Sequence, residues 1–281
     1  MKVTSSRLIE QKKPILKQLL DRLLQTYSYA SILMTDSKGK QYSISKQGIY
    51  ISENMFVELG YVVKVYDGES YGEYAFSHID ENEIDNIVEE VKNHVMPWAH
   101  KLPEGMNVKQ YPAIPDEKYN FEKSTEFEIS PDELGDEEIV KRLSAVREKA
   151  LAQDEKIVEV QTGCVYQIYH KLFLSPNKDM TQNVMWTTGM MMGLIPKGEE
   201  MKMAFDSCSG CGGMELTEGL ETKIPQLVQK LNDLAASEPI TPGEYDCICA
   251  PDVTGMIVHE AFGHGVEMDM FVKKRALAEK Y

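Results

Sequence analysis

The chain has 281 residues, of which 42% are hydrophobic and 27% charged, a composition that matches globular proteins and excludes wholesale disorder or a membrane-embedded chain. Acidic residues outnumber basic ones by 45 to 30, for a formal net charge of −15, which disfavours nucleic acid and anionic membranes as partners. The sequence shows no secretory leader and no apolar run long enough to cross a bilayer. We therefore expect a cytoplasmic protein without a membrane partner.

The first hundred residues have the pattern of a helix, several short antiparallel strands and a second helix. Apolar residues recur every three or four positions over residues 8–24, which predicts an amphipathic helix. A second helix is expected over about residues 81–95, with Ile84, Ile87 and Val91 on one side. Strand-like runs separated by turn signals lie between these helices, at residues 29–35, 41–45, 59–66 and 71–77. Together they predict an N-terminal α+β domain over residues 1–100.

A second unit repeats this order after a proline-containing stretch. Residues 101–130 show little periodicity and suit an extended linker. Ser130-Pro131 is a good helix start, and a helix is expected to about residue 153. Strand-like runs then occupy residues 157–169, 171–175, 182–192 and 200–207, before a helix over 220–234. The fold class predicted is α+β, with two helix–antiparallel sheet–helix units in tandem, the second over residues 131–240.

The segment 241–281 begins a third domain. Thr241-Pro-Gly-Glu244 is a turn signal, residues 245–250 are expected to form an apolar strand, and a helix is expected from Val253 through two histidines. The pattern therefore predicts that a strand and a turn lead into a helix that carries functional groups.

The five cysteines favour reduced thiols, because their number is odd and no secretion signal accompanies them. Cys208-Ser-Gly-Cys211 is a single CxxC, which is weak evidence for a zinc site, and we expect two ordinary thiols in a glycine-rich turn. Cys247 and Cys249 are two residues apart in the expected apolar strand and are interpreted as small buried side chains.

The stretch His259-Glu260-Ala-Phe-Gly-His264 carries the residue types of a metal-dependent hydrolase. Two imidazoles can bind zinc, and an adjacent glutamate can act as general base toward a water molecule. In the common HExxH motif the histidines are four residues apart, which brings both to one side of a helix. Here they are five apart, and at about 100° per residue their directions on a straight α-helix diverge by about 140°.

Two local structures would restore a shared site. A single π-type turn brings residues five apart to the same side of the helix. Alternatively, the helix ends or kinks at Gly263, where glycine tolerates unusual backbone angles. A solvated surface helix without metal remains the competing interpretation of the spacing alone.

The segment from Pro242 through the HExxxH helix to Glu267 closely resembles the TldD/PmbA family of zinc metallopeptidases. A second stretch, residues 58–75, resembles the glycine-punctuated strand pair near the N-terminus of that family. The resemblance is to the TldD-like branch, since the PmbA-like partner has lost the motif. Family members also carry the label of modulators of DNA gyrase, but this acidic sequence does not support direct DNA binding.

The resemblance implies that His259 and His264 bind Zn²⁺ and that Glu260 is the catalytic general base or acid. It also implies a peptide substrate, and a closed chamber formed by a homodimer or by a heterodimer with a PmbA-like subunit. The family's third zinc ligand is a cysteine after the motif, and none of the five cysteines follows His264. Glu267 is the nearest replacement for this third ligand. We favour the alternative, in which the Glu267 carboxylate does not bind the metal.

Two functions follow from these observations. The first is a zinc-dependent peptidase of the TldD type that acts on short or unfolded peptides, apparently without the family's C-terminal domain and with little or no activity in this chain alone. The alternative is a non-catalytic subunit or interaction scaffold that forms the chamber but lacks a working metal site.

Overall fold

The structure is a computed structural model that describes residues 1–53, 58–101, 113–272 and 275–276. The described residues form eight strands: β1 (Tyr29–Ser45), β2 (Gly48–Glu53), β3 (Leu59–Tyr66), β4 (Tyr71–Phe76), β5 (Tyr119–Ser124), β6 (Glu159–Leu174), β7 (Lys178–Lys197) and β8 (Glu200–Cys211). They also form seven α-helices: α1 (Arg7–Leu24), α2 (Ile84–Glu90), α3 (Met96–Ala99), α4 (Pro131–Leu151), α5 (Gly219–Ala236), α6 (Pro251–Val258) and α7 (Met268–Val272). Four shorter helical turns join or precede them: π turns at Val91–Val95 and His259–Gly263, and 3₁₀ turns at Met214–Glu218 and His264–Val266. None of the helices in these ranges has the length and apolar character needed to span a bilayer.

The strands of both predicted units belong to one sheet. Its order is β4-β3-β1-β6-β7-β5, with β2 also paired to β1 and β8 also paired to β7. β1 is long enough to join the two halves, because Ile32 to Ile44 pair antiparallel with Leu174 to Thr162 of β6. Only β5 runs parallel to its neighbour in the described sheet. The predicted α+β class with mostly antiparallel strands is confirmed, and the two sets of strands are continuous.

The apolar core forms two clusters on the same face of this sheet. Side chains of β1 alternate between faces, and the even-numbered Ile32 and Met34 belong to one cluster while Tyr42 and Ile44 belong to the other. Helices α1 and α2 cover the first cluster, and α4 and α5 cover the second. The opposite face carries exposed apolar side chains, among them Trp186, Met190 and Phe205.

Several predicted elements differ from the structure in extent. The runs at 29–35 and 41–45 are one strand, as are those at 157–169 and 171–175, because each long strand continues through polar residues between the two clusters. Residues 102–112 of the predicted linker lie outside the described residues. The linker contains β5. This strand pairs only with β7 at the sheet edge and is mostly exposed, so it lacks the alternation that marks a strand in sequence. The second helix starts at Ile84 and contains a π turn before α3.

Two predictions about cysteine-bearing segments were wrong. Residues 245–250 form no strand, and Cys247 and Cys249 are exposed, because no strand in the described part of the chain lies beside this stretch to pair with its backbone. Cys208 and Cys211 lie in β8 and not in a turn. Three residues apart in a strand, they point to opposite faces, so this CxxC does not form a site of its own.

The strand pair that carries part of the family resemblance is present as β3 and β4. Their register places Val62 opposite Ala75 and Val65 opposite Gly72. A Cβ atom on Gly72 would lie 2.6 Å from the sulfur of Met96, at the start of α3. The glycine therefore allows α3 and the preceding π turn to pack closely on the hairpin.

Candidate metal centre

The motif helix begins at a defined start signal. Ala250 has extended backbone angles, and its carbonyl accepts a hydrogen bond from the amide of Thr254. Pro251 occupies the first turn of α6, where its fixed φ suits a helix and its missing N–H costs nothing. Asp252 adds a negative charge at the positive end of the helix. The sequence thus sets the start of α6 about two turns before the first histidine.

The extra residue of the motif is accommodated by a π turn over His259–Gly263. The amide N–H of His264 donates to the carbonyl of His259, five residues earlier. Gly263 has φ −55° and ψ −53°, which are right-handed helical values open to any residue. Of the two routes that the sequence left open, the structure has the π turn, and the unusual backbone freedom of Gly263 is not used.

The π turn brings the two histidines and the intervening glutamate together. The imidazole rings of His259 and His264 meet edge to face, with centroids 4.6 Å apart and planes at 79°. One candidate ligand atom from each of His259, Glu260 and His264 lies within 4.8 Å of the other two. The Glu260 carboxylate is 3.7 Å from Nε2 of His264. Within the described ranges, this is the one group of three or more such side chains with metal-binding spacing.

Glu267 contacts the same histidine from the other side. Its Oε1 lies 2.7 Å from Nδ1 of His264, while Glu260 faces Nε2. Glu267 is not part of the three-residue group of candidate ligand atoms. The sequence could not distinguish these positions, because both carboxylates lie within one turn of His264.

The donor set suits zinc. Imidazoles are common zinc ligands, and bond lengths of about 2.0–2.1 Å in a tetrahedral site place two donor atoms about 3.3 Å apart. The adjacent Glu260 carboxylate has the position of a base toward zinc-bound water. The separations of up to 4.8 Å exceed this by an amount that side-chain rotation can close. His259 and Glu260 are both exposed, so such rotation of their side chains meets little steric resistance.

No cysteine of the described chain joins this group. Cys164 is buried under α4 and α5, and burial raises the pKa of its thiol to about 12. Cys208 is half-buried, while Cys211, Cys247 and Cys249 are exposed. The third ligand that the family resemblance implies is therefore not supplied by these thiols in this structure.

The surroundings of the motif are apolar and uncovered among the described residues. Val253, Met256 and Ile257 of α6 are all exposed, as is Phe262 in the π turn. A helix that is apolar on all sides is typically enclosed by other protein elements. The motif segment therefore presents a surface that is suited to contact with further protein.

Comparison with known proteins gives partial sequence matches. None of the models of known protein families matches the chain. A metalloprotease of Methanothermobacter thermautotrophicus is 30% identical over 84 residues, which covers 29% of this chain and 18% of that protein. A metalloprotease of Archaeoglobus fulgidus is 30% identical over 82 residues, covering 29% of this chain and 19% of that protein. The similar stretch is thus about a fifth of each relative.

Solved structures match most of the chain in fold. A protein of Bacteroides thetaiotaomicron described as a candidate modulator of DNA gyrase has a TM-score of 0.68 at 16% identity, over 91% of this chain and 57% of that one. A candidate gyrase modulator of Thermotoga maritima has a TM-score of 0.56 at 12% identity, over 81% of this chain and 50% of that one. TldE from Thermococcus kodakarensis has a TM-score of 0.56 at 15% identity, over 77% and 47%.

These likenesses establish the fold, and the chain spans about half the length of the solved structures that it matches. The fold is that of TldD/PmbA-type proteins, and part of the sequence is similar to metalloproteases. Both findings support the resemblance to the TldD/PmbA family.

Proposed function

We propose that this chain is part of a zinc-dependent peptidase of the TldD type, which hydrolyses short or unfolded peptides. The observation that carries the proposal is the His259–Glu260–His264 group, which a π turn brings together at the five-residue spacing of the histidines. The partial similarity to two metalloproteases supports the same chemistry. His259 and His264 are the proposed zinc ligands, and Glu260 is the proposed catalytic residue.

A zinc ion in such a site supplies a Lewis acid that polarises a carbonyl group and makes water nucleophilic near pH 7. Glu260 accepts the proton of the attacking water as the oxygen bonds to the peptide carbonyl carbon. The same carboxyl group then gives this proton to the leaving nitrogen as the C–N bond breaks. The products are a carboxylic acid and an amine, and Glu260 returns to its carboxylate form.

We infer that the working form is an assembly, either a homodimer or a heterodimer with a PmbA-like subunit. The family resemblance implies a chamber of this kind. The exposed apolar residues around the motif, such as Met256 and Phe262, fit burial against another protein surface. Peptide substrates would then be limited to chains that enter such a chamber without folded structure.

Metal titration combined with a peptide-cleavage assay tests the proposal on the full 281-residue chain. We expect weak binding of one zinc ion per chain, because only two imidazole ligands are in place, and slow cleavage of an unfolded peptide. His259→Ala and His264→Ala should abolish zinc binding. Glu260→Gln should retain zinc but lower kcat/KM about 100-fold or more, as expected for loss of a general base.

His94→Ala is a matched control, since it removes an exposed histidine outside the motif, and it should change neither property. Zinc binding that survives in both motif histidine variants would refute the assigned ligands. A wild-type chain that binds no zinc would instead favour the non-catalytic subunit, which lacks a working metal site. That alternative draws on the same exposed apolar surface, which suits an assembly role without catalysis.

A further inference from the structure

We propose that Glu267 is a positioning residue, whose carboxylate holds the imidazole of His264 so that Nε2 is presented to the metal. The proposal rests on the metal site proposed above but concerns a contact within the chain itself. It assigns Glu267 a role outside the set of zinc ligands and outside the proton transfer of Glu260.

The geometry fixes which ring nitrogen is available. A carboxylate accepts hydrogen bonds, so the 2.7 Å contact between Glu267 Oε1 and His264 Nδ1 places the proton on Nδ1. In a neutral imidazole the other nitrogen, Nε2, then carries the free electron pair. Nε2 is also the nitrogen that faces Glu260, at 3.7 Å. The contact thus selects the tautomer that a metal in the His259–Glu260–His264 group requires.

Two successive helical turns place the three side chains. The π turn over His259–Gly263 brings together residues five apart, which are the two histidines. The following turn over His264–Val266 is a 3₁₀ turn, in which residues three apart lie directly over one another. Glu267 is three residues after His264, so the change from π to 3₁₀ geometry sets the carboxylate against the outer edge of the ring.

The backbone of Glu267 is itself fixed. Its ψ of 142° ends the helical path, and its carbonyl accepts the amides of Met270 and Phe271 at the start of α7. Glu267 therefore lies between two helical segments, and hydrogen bonds to the second segment hold its backbone. Its side chain and that of His264 are about half exposed, at 51% and 49%, so the contact acts by orientation more than by burial.

Some carboxylates accept a hydrogen bond from the ring nitrogen of a metal-binding histidine that does not face the metal. Removing such a carboxylate typically weakens metal affinity by about 10–100-fold. The gain comes from a ring that already has the required tautomer and direction before the metal arrives. Because this pair is half exposed, we expect an effect near the lower end of that range.

The first measurement uses the metal-free chain, so it does not depend on the proposed function. Ring ¹⁵N shifts of His264, recorded near pH 8.5 where an ordinary imidazole is neutral, report which nitrogen carries the proton. We expect Nδ1–H in the wild type. Glu267→Ala should shift His264 toward the Nε2–H tautomer that free imidazole side chains prefer in water, while Glu267→Gln, whose carbonyl can still accept, should retain much of the Nδ1–H form.

The second measurement is zinc affinity by competition with a chelator. Glu267→Ala should weaken binding about tenfold, with Glu267→Gln between it and the wild type. Glu244→Ala is the matched control, because it removes one exposed carboxylate from the same segment without removing a contact to either histidine, and it should match the wild type in both measurements.

An unchanged His264 tautomer in Glu267→Ala would overturn the proposal, as would a shifted tautomer with zinc affinity equal to that of the control. If the wild type shows the Nδ1–H tautomer but binds no zinc, the proposed function fails while the Glu267–His264 contact stands. The two failures are therefore distinguishable.

Discussion

Inserting one alanine between Ala261 and Phe262 tests whether the five-residue spacing is what forms the site. The insertion places the second histidine six residues after His259 while leaving every side chain of the motif present. Glu267 moves together with His264, so the contact between these two is preserved. The change therefore separates the two histidines without altering their chemistry.

The size of the displacement follows from helix geometry. One additional residue turns everything after it by about 100° and advances it by about 1.5 Å. Metal–ligand distances tolerate deviations of only about 0.2 Å, far less than this movement. The site should lose one imidazole ligand, and zinc affinity should fall by more than about 100-fold, beyond the effect of losing a supporting contact.

Chelator competition measures the affinity, and an alanine inserted after Thr254 provides the control. That insertion lies before both histidines and moves the motif as a unit. The described contacts of α6 and the turns after it are chiefly with each other, so both insertions should leave thermal unfolding of the sheet unchanged. Equal zinc affinity in the two variants would refute the dependence on spacing.

Two further predictions concern the rest of the chain. Burial would raise the pKa of Asp206, but hydrogen bonds from Lys230 and Lys223 at 2.8 and 2.9 Å outweigh this effect and lower the pKa. Asp206→Asn should therefore lower the free energy of unfolding, measured by urea denaturation at pH 7, by about 2 kcal/mol. The loss is limited to this size because both lysines are partly solvated. Because the pKa of Asp206 is lowered in the folded chain, this difference in unfolding free energy should be present at pH values above the unfolded pKa of about 3.9 and should shrink as the pH falls through the folded pKa. An equal difference at pH 7 and at pH 3 would contradict this prediction. Cys164 should react with a thiol reagent only after unfolding, because burial raises the pKa of its thiol to about 12. Rapid reaction in the native chain would contradict this prediction, because it would show that Cys164 becomes accessible without unfolding. The exposed thiols expected to react in the native chain are Cys211, Cys247 and Cys249.

The elements that were predictable from the sequence are those with a strong pattern of their own. Helix α1 buries one apolar stripe, including Leu16, Leu19 and Leu23, and its Ser6 cap accepts from the amides of Leu8 and Ile9. Both features are local and can be recognised without knowing the partner. The same holds for the π turn, which the spacing of His259 and His264 made one of two possible structures.

Features that depend on distant partners were not predictable. The apolar run around Ile248 has the composition of a strand but no neighbouring strand among the described residues, so it forms no strand and is exposed. β5 shows the opposite case, because its weak pattern becomes a strand through pairing with β7. Which ring nitrogen of His264 each neighbouring carboxylate faces also required coordinates, since sequence order does not determine it.

The long pairing of β1 with β6 also has a consequence for biosynthesis. β1 ends at Ser45 and β6 begins at Glu159, and at about 5–20 residues per second a ribosome needs roughly 6–23 s to make the chain between them. Until then the edge of β1 that β6 will cover has no partner from its own sheet, although Tyr42 and Ile44 are already present. The order of synthesis, more than the stability of the finished sheet, sets how long this strand is open to contact with other chains.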